Sequence, residues 1–210
     1  MANNINRCLH VIDNFYEQPY NVRKHALKMP YNVPDGYVGW RTFAYQPNGI
    51  KERIERKFNI LIEYWEDDVT ATEACNGVFF SALAKGRFAE RIGVHYDDPP
   101  NWMMMLVYLT PNAPFDSGTS IWQHRETNLV AKPTRRDALR LGRSLKALEN
   151  ELLEDSHKPK SWIEIDRIGN VFNRAVMFPS GLLHSATKHF GDSCLSGRLY
   201  QAFHFPIISR

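Results

Sequence analysis

Two neighbouring side chains in the middle of the chain have types and spacing that suit a metal ion. His95 and Asp97 are separated by one residue, so in an extended strand both project from the same face. An imidazole and a carboxylate are two of the three ligands in the facial triad that holds non-haem Fe(II). Three-residue patterns arise often by chance, however, and the alternative is a surface turn ahead of Pro99 and Pro100.

A third ligand would have to come from a distant part of the chain. His184 follows the apolar stretch FPSGLL, whose Gly181 is typical of a strand or turn that leads a side chain into a pocket. His189 is the alternative, but its neighbours Lys188 and Gly191 are typical of a loop. We therefore prefer His184 as the third ligand.

Arg198 is a candidate for binding an anion. It begins the alternating stretch RLYQAFHF, which predicts a strand with one apolar face. A guanidinium is always charged and its forked geometry matches a carboxylate. Inside an apolar strand such a group needs an anionic partner. The carboxylate of a bound co-substrate would be one.

The hydrophobic pattern predicts many short strands around these residues. They are predicted at 8–12, 74–83, 88–94, 102–109, 118–124, 161–168, 173–178 and 198–205. Helical spacing is found at 20–29 and 50–64, and the clearest helix, rich in leucine, runs from Thr134 to Asp155. Early helices, then short strands with one inserted helix, predict an α+β fold built on a β-sandwich or barrel.

Length and composition narrow the function classes. The chain has 210 residues, enough for one domain with a sizeable core. A net charge of +3 is too weak to argue for nucleic acid. The three cysteines are widely spaced, which disfavours a disulfide scaffold or a zinc–thiolate site. With no signal-peptide pattern and no apolar stretch near the ~20 residues of a membrane span, we expect a cytoplasmic protein.

The order of these motifs resembles a known family. An H-x-D pair, a long gap, a histidine and then an arginine are similar to the Fe(II)/2-oxoglutarate-dependent dioxygenases, most closely their prolyl-hydroxylase-like branch. The likeness covers Val94 to Phe205. It is carried by His95-x-Asp97, Tyr108-Leu109, Ser117-Gly118-Thr119, the stretch from Phe178 to His184, and Gly197-Arg198. It implies a double-stranded β-helix (jelly roll) core with N-terminal helices packed on it.

The resemblance implies a role for each matching residue. His95, Asp97 and His184 would bind Fe(II) as the catalytic centre. Arg198 and Tyr108 would bind the distal carboxylate of 2-oxoglutarate, with O2 as the second co-substrate. Tyr108 is equally well explained as a core aromatic residue whose hydroxyl is satisfied elsewhere.

Four further residues are candidates for contacts around this centre. Asn173 would orient the co-substrate, or would simply form a turn. His124 and Arg125 would face the substrate, or would lie at the solvated end of a strand. Trp40 would close the pocket from the N-terminal side, or would pack within a loop.

The predicted organisation is a single domain over residues 1–210. Residues 1–75 would support the core, and residues 129–160 would form a helical insertion where many members of the family have a short connection. A lid and a homodimer element are the two roles we consider for this insertion. The nucleic-acid demethylases of the family carry a second arginine on the last strand, and this chain has none at Tyr200, Ala202 or His204.

The leading hypothesis is an oxygenase that hydroxylates or otherwise oxidises a small molecule, such as an amino acid or a related metabolite. We expect no nucleic-acid or membrane partner. The alternatives are a protein side-chain hydroxylase and a non-catalytic, cupin-like jelly roll that binds a metal. Arg198 distinguishes the last of these, because a non-enzymatic jelly roll has no need of an inward-facing arginine opposite a metal.

Overall fold

The computed structural model describes residues 8–32, 40–70, 76–86 and 89–208. The strands are β1 (His10–Ile12), β2 (Trp40–Ala44), β3 (Val78–Ala82), β4 (Met103–Tyr108), β5 (Thr119–His124), β6 (Trp162–Ile168), β7 (Ala175–Pro179), β8 (His184–Ala186) and β9 (Arg198–Phe205). The helices are α1 (Pro19–Ala26), α2 (Ile50–Phe58), α3 (Arg135–Leu141) and α4 (Leu145–Asp155), with a short 3-10 turn at Pro159–Ser161.

The strands form two antiparallel sheets. The larger sheet has the order β1-β7-β4-β9-β3-β2, and the smaller one has the order β6-β5-β8. The order is far from sequential in the larger sheet, so the last strand, β9, lies between β4 and β3. This arrangement brings the start of β9 close to the end of β4 and to the segment that precedes β5.

Strand β4 shows how the layers are packed. Met103 and Met105 face a core that also holds Val22 of α1 and Ile54 of α2. Tyr108 faces the opposite way. That second core includes Leu106 of β4, Ile121 of β5, Ile168 of β6, Val176 of β7 and Ala202 of β9. The two N-terminal helices therefore cover one face of the larger sheet, and the smaller sheet packs against the other face.

The inserted helical segment differs from its prediction. The expected helix from Thr134 to Asp155 is two helices, because Gly142 ends α3 in the left-handed conformation (φ 63°) and Ser144 caps α4. The break changes which leucines are buried. Leu148 is fully buried, whereas Leu139 and Leu153 are 85% and 75% exposed.

Two other predicted elements are shorter than expected. The helix predicted at 50–64 ends at Phe58, because Asn59 adopts a left-handed conformation (φ 53°). The strand predicted at 88–94 begins outside the described residues, and its described part makes a single bridge between Ala89 and Leu83. The first residues of the strand predicted at 74–83 also lie outside them, and β3 begins at Val78.

None of the helices in the described part of the chain is both long and apolar enough to cross a lipid bilayer.

Candidate metal centre and carboxylate pocket

Backbone hydrogen bonds bring the three predicted metal ligands together. His95 and His184 form an antiparallel bridge, in which each backbone N–H donates to the other carbonyl oxygen at 3.0 and 2.8 Å. The N–H of Asp97 donates to the carbonyl oxygen of Ser180 at 2.9 Å. One ligand atom from each of the three side chains lies within 4.8 Å of the others. The H-x-D segment is therefore held to the β8 segment by its main chain rather than by membership of a regular strand.

Both imidazoles are oriented by a second hydrogen bond. The Nδ1 atom of His95 contacts the carbonyl oxygen of Gly93 at 3.0 Å, and that of His184 contacts the carbonyl oxygen of Leu182 at 2.7 Å. A carbonyl oxygen can only accept, so Nδ1 carries the proton in each ring and the neutral ring keeps its lone pair on Nε2. These Nε2 atoms lie 3.9 and 3.3 Å from the Asp97 carboxylate. Such backbone contacts are typical of metal-binding histidines.

The electrostatics of the cluster suit a divalent cation. Burial alone would raise the pKa of Asp97, but its contacts with His184 and His95 lower it to about 2. Desolvation and the neighbouring His184 lower the pKa of His95, so its ring is neutral at pH 7. Two imidazoles and one carboxylate are the donor set of the 2-His-1-carboxylate triad, so the residues fit non-haem iron.

Among the three ligand side chains, that of His95 is the most exposed to solvent. The side chains of His184 and Asp97 are 7% and 30% exposed, whereas that of His95 is 55% exposed. The His95 side of the cluster is therefore its most accessible side among the described residues.

Ser180 and His204 support the cluster from behind, and sequence reasoning missed both. The His204 ring nitrogen Nε2 lies 2.7 Å from the Ser180 hydroxyl oxygen, and the carbonyl oxygen of Ser180 accepts from Asp97. His204 shares a face of β9 with Arg198, so strand alternation placed it inside the protein. No pattern in the sequence linked it to Ser180.

The guanidinium of Arg198 lies in a second, buried part of the site. It is 2% exposed, and it donates to the carbonyl oxygens of Ser117 and Gly118 at 2.9 and 3.0 Å. A third hydrogen bond reaches the Thr119 hydroxyl at 3.3 Å. These acceptors are neutral oxygens, and none of the carboxylates in the described ranges forms an ion pair with this guanidinium. A buried charge without an anionic partner is costly, which indicates that a ligand supplies the partner.

Two tyrosines enclose this guanidinium. Its carbon Cζ lies 4.6 Å from the ring centre of Tyr200 and 5.3 Å from that of Tyr108. The hydroxyl of Tyr108 is 2.7 Å from that of Thr119. Burial raises the pKa of Tyr200 to about 12, against the opposing charge of Arg198, so the phenol remains a hydrogen-bond donor. The pocket thus offers one cation and several hydroxyl donors, which together suit a carboxylate.

Strand β5 sets the distance between the two parts of the site. Thr119 contacts Arg198, and Ile121, two residues further on, is the register partner of His184. Two residues of an antiparallel strand span about 7 Å. That is roughly the span of an extended five-carbon dicarboxylate, so one small ligand could contact the metal ligands and Arg198 at once.

Four predicted site residues are placed elsewhere by the structure, and the first is Asn173. It has a left-handed backbone (φ 65°), and its side chain forms hydrogen bonds at 2.8 Å with both the N–H and the carbonyl oxygen of Tyr16. Tyr16 belongs to the core beneath the N-terminal helices. The prediction that Asn173 orients a co-substrate is therefore corrected, because its amide fixes the N-terminal segment to the sheet.

The prediction that His124 and Arg125 face the substrate is also corrected. His124 is fully buried between the Thr127 hydroxyl at 2.9 Å and the Asp155 carboxylate at 3.0 Å. It faces α4, on the side of β5 opposite to Ile121. Arg125 donates to the carbonyl oxygens of Lys160 and Trp162. Neither side chain is brought to the three ligand atoms, so both connect β5 to the insertion instead.

The prediction that Trp40 closes the pocket from the N-terminal side is corrected as well. It lines a cleft of about 540 Å³ with Leu27 and Cys194. Its neighbour Arg41 has the opposite orientation, with its guanidinium 5.7 Å from the ring centre of Phe80, which belongs to the core between the sheets. The alternative third ligand, His189, is also away from the cluster, because its Nδ1 atom contacts the carbonyl oxygen of Glu90 at 3.2 Å.

Comparison with known proteins gives a family and a fold. A family profile described as "Family of unknown function (DUF6445)" matches residues 2–201. No curated protein matches the chain. The structure of HygX from Streptomyces hygroscopicus with nickel and 2-oxoglutarate bound is 15% identical, covers 95% of this chain and 83% of that one, and has a TM-score of 0.50. HygX with nickel, 2-oxoglutarate and hygromycin B bound is 14% identical over 95% and 83% of the two chains, with a TM-score of 0.48. The first of these likenesses shows a similar fold.

Proposed function

This chain belongs to DUF6445, a family of unknown function, and from its site we propose that it is a non-haem Fe(II)/2-oxoglutarate-dependent oxygenase. The observation that carries the proposal is the position of Arg198. Its buried guanidinium contacts Thr119, two residues along β5 from the partner of His184. A metal site alone would not require a buried cation at that distance from its ligands.

His95, Asp97 and His184 would hold the iron. Bound Fe(II) would supply the O2 chemistry, in which oxidation of a substrate accompanies the oxidative decarboxylation of 2-oxoglutarate to succinate and CO2. The chain itself would contribute ligand orientation, through the carbonyl oxygens of Gly93 and Leu182. These contacts keep each Nε2 atom available before the metal binds.

Arg198, Tyr108 and Thr119 would bind the distal carboxylate of 2-oxoglutarate. Arg198 supplies the charge, and the two hydroxyls, 2.7 Å apart, supply donors beside it. Because Arg198 and Tyr108 are almost completely buried, water is kept from this end of the co-substrate. The exposed side of His95 then leaves the opposite end of the site for the substrate.

The type of β-fold and the class of substrate are also part of the proposal. We take the two packed sheets to be a jelly roll, and the fold shared with HygX in its nickel- and 2-oxoglutarate-bound form supports this. The substrate would be a small molecule, such as an amino acid or a related metabolite, which enters past His95. The prolyl-hydroxylase-like branch remains the sequence prediction.

The test is anaerobic spectroscopy on the purified protein. Addition of Fe(II) and then 2-oxoglutarate should produce the weak visible charge-transfer band of a 2-oxo acid chelated to iron. The Arg198→Ala variant should bind iron but need a much higher 2-oxoglutarate concentration for the band. Arg125→Ala, which removes a guanidinium far from the cluster, is the control and should behave as the parent does. Iron binding without any band would contradict the proposal and favour a cupin-like metal protein.

A further inference from the structure

Glu90 lies beside the carboxylate pocket, and no sequence motif drew attention to it. Ala82, the last residue of β3, is the register partner of Arg198. The next residue, Leu83, accepts a hydrogen bond from the Glu90 N–H at 3.0 Å and forms a bridge with Ala89. Neighbouring strands lie about 4.8 Å apart. The main chain of Glu90 is therefore fixed next to the end of β9 from which Arg198 projects.

The half-buried side chain of Glu90 has one carboxylate oxygen without a hydrogen-bond partner in the described part of the chain. Its Oε1 atom is inaccessible to solvent and makes no hydrogen bond within the described segments. In the described ranges, the titratable groups next to Glu90 are Arg198 and Tyr200 from β9, and His189 from the loop after β8, whose Nδ1 atom contacts the Glu90 carbonyl oxygen. Leu83, which follows β3, brings no charge. Burial raises the pKa of Glu90 to about 7, although the charge of Arg198 opposes this.

The charges in this region allow only one anion at low cost. Among the residues that the structure describes, Arg198 is the one cation whose charge acts on the Glu90 carboxylate. Desolvation and the charge of Arg198 lower the pKa of His189, so its ring is neutral near pH 7. An ionised Glu90 therefore competes with an incoming carboxylate for the same guanidinium. Two carboxylates that share one buried site cannot both stay ionised without a large penalty.

We propose that Glu90 takes up one proton from solvent when 2-oxoglutarate binds, and that its neutral carboxyl group then donates a hydrogen bond to the distal carboxylate. The inference rests on the proposed function, since it assumes that 2-oxoglutarate occupies the Arg198 pocket. In this step the Glu90 carboxylate gains one H⁺ from solvent. No bond between heavy atoms changes, and the co-substrate stays ionised. Glu90 thereby changes from a competitor of the co-substrate into one of its donors.

The affinity for 2-oxoglutarate should fall as the pH rises above 7. Below pH 7 Glu90 is already protonated in the free protein, so 2-oxoglutarate affinity is independent of pH there. Above pH 7 each bound molecule must bring a proton with it, and the Kd rises. With a free-protein pKa of about 7, linkage gives a rise of about tenfold between pH 6 and pH 8.

Calorimetry of the protein loaded with Ni(II), which binds without supporting turnover, tests this directly. Titrating 2-oxoglutarate in two buffers of different ionisation enthalpy counts the protons taken up. The parent protein should take up close to one proton at pH 8 and almost none at pH 6. Glu90→Gln, which keeps the shape and an N–H donor, should take up none and should bind about tenfold tighter than the parent at pH 8.

The outcomes separate the two proposals. Glu154→Gln, a change at an exposed carboxylate on α4, should reproduce the parent and so controls for loss of a negative charge. Binding of 2-oxoglutarate without proton uptake, or uptake that persists in Glu90→Gln, would overturn the role of Glu90 and leave the oxygenase proposal standing. Failure of 2-oxoglutarate to bind the parent at either pH would overturn both.

Discussion

The Nε2 atom of His184 lies 3.3 Å from the Oδ2 atom of Asp97, in an arrangement that the main chain holds in place. His184 is held to His95 by two backbone hydrogen bonds, and Asp97 is held to Ser180 by a third. The ligand geometry is therefore largely formed before any ion arrives. A preformed site of this kind should bind metal without a large gain in secondary structure, and loss of one ligand should not unfold the protein.

Replacement of Asp97 by alanine should abolish tight metal binding. The variant loses the only carboxylate of the cluster, so its Ni(II) affinity should fall by more than the roughly 10–100-fold that loss of an outer partner costs. Isothermal titration with Ni(II) measures this, and circular dichroism should show an unchanged fold. His189→Ala is the matched control, because His189 lies outside the cluster. Weak binding in His189→Ala together with tight binding in Asp97→Ala would contradict the ligand assignment.

Thr119→Val should weaken 2-oxoglutarate binding and spare metal binding. The substitution keeps the shape of the side chain but removes the hydroxyl that lies between Tyr108 and Arg198. Loss of a hydrogen bond at a charged group costs about 1.5–3 kcal/mol, so the Kd for 2-oxoglutarate should rise by about 10–150-fold. Thr127→Val removes an equally buried hydroxyl next to His124 and should leave this Kd unchanged. Equal losses in both variants would mean that the effect is structural.

Gly118→Ala should damage the carboxylate pocket through packing. A Cβ atom at this position would lie 1.8 Å from the carbonyl oxygen of Ile168, so the start of β5 must shift. The carbonyl oxygen of Gly118 accepts from Arg198. We expect a loss of about 1–3 kcal/mol in the free energy of unfolding, as for other overpacked sites, and weaker 2-oxoglutarate binding.

Gly142→Ala is the control that separates a loss of stability from a loss of 2-oxoglutarate affinity. Its left-handed backbone (φ 63°) makes alanine unfavourable by about 1–2 kcal/mol, but no neighbouring atom lies within 4 Å of the added methyl. Urea denaturation should show a stability loss for both glycine variants, whereas titration with 2-oxoglutarate should show an affinity loss for Gly118→Ala alone. An unchanged Kd in Gly118→Ala would show that the pocket tolerates movement of this turn.

The sequence predicted the parts of the site that depend on local patterns. Strand β9 begins and ends where its alternation indicated, at Arg198 and Phe205. The apolar run around β4 is a buried strand, with Met103 and Met105 on one face and Tyr108 on the other. In both cases a period of two residues decided the structure, and an inward residue on such a strand can be identified without knowing its neighbours.

The errors concern partners that lie far apart in the chain. The stretch around His124 is a strand, as predicted. Which face of this strand lies against α4 depends on how the sheet pairs, and the spacing of residues in the sequence does not reveal it. Asn173 has a polar side chain near a site motif, and only the fold shows that it contacts Tyr16. Glu90 lies in the stretch predicted as a strand at 88–94, which holds no site motif, and its importance comes from contact of its segment with Leu83, the residue after β3.

The buried contact between His124 and Asp155 leads to a prediction about stability. Asp155 lies at the end of α4, where its carboxylate accepts from Lys158 at 2.8 Å and contacts the His124 ring at 3.0 Å. Replacement by alanine leaves the fully buried imidazole without one of its two partners. Such a loss costs about 1–3 kcal/mol in the free energy of unfolding. Glu154→Ala, at the exposed neighbouring position, should change stability by no more than about 0.5 kcal/mol.

The stabilising effect of Asp155 should depend on pH in a defined direction. The hydrogen bonds from Lys158 and His124 lower the pKa of Asp155 from 3.8 to about 2. A carboxylate with a lowered pKa in the folded state stabilises it fully above the unfolded value and progressively less as the pH falls toward the folded value. The difference in urea midpoint between the parent and Asp155→Ala should therefore be larger at pH 7 than at pH 3. An equal difference at both pH values would show that packing, rather than the ionised carboxylate, holds α4 against β5.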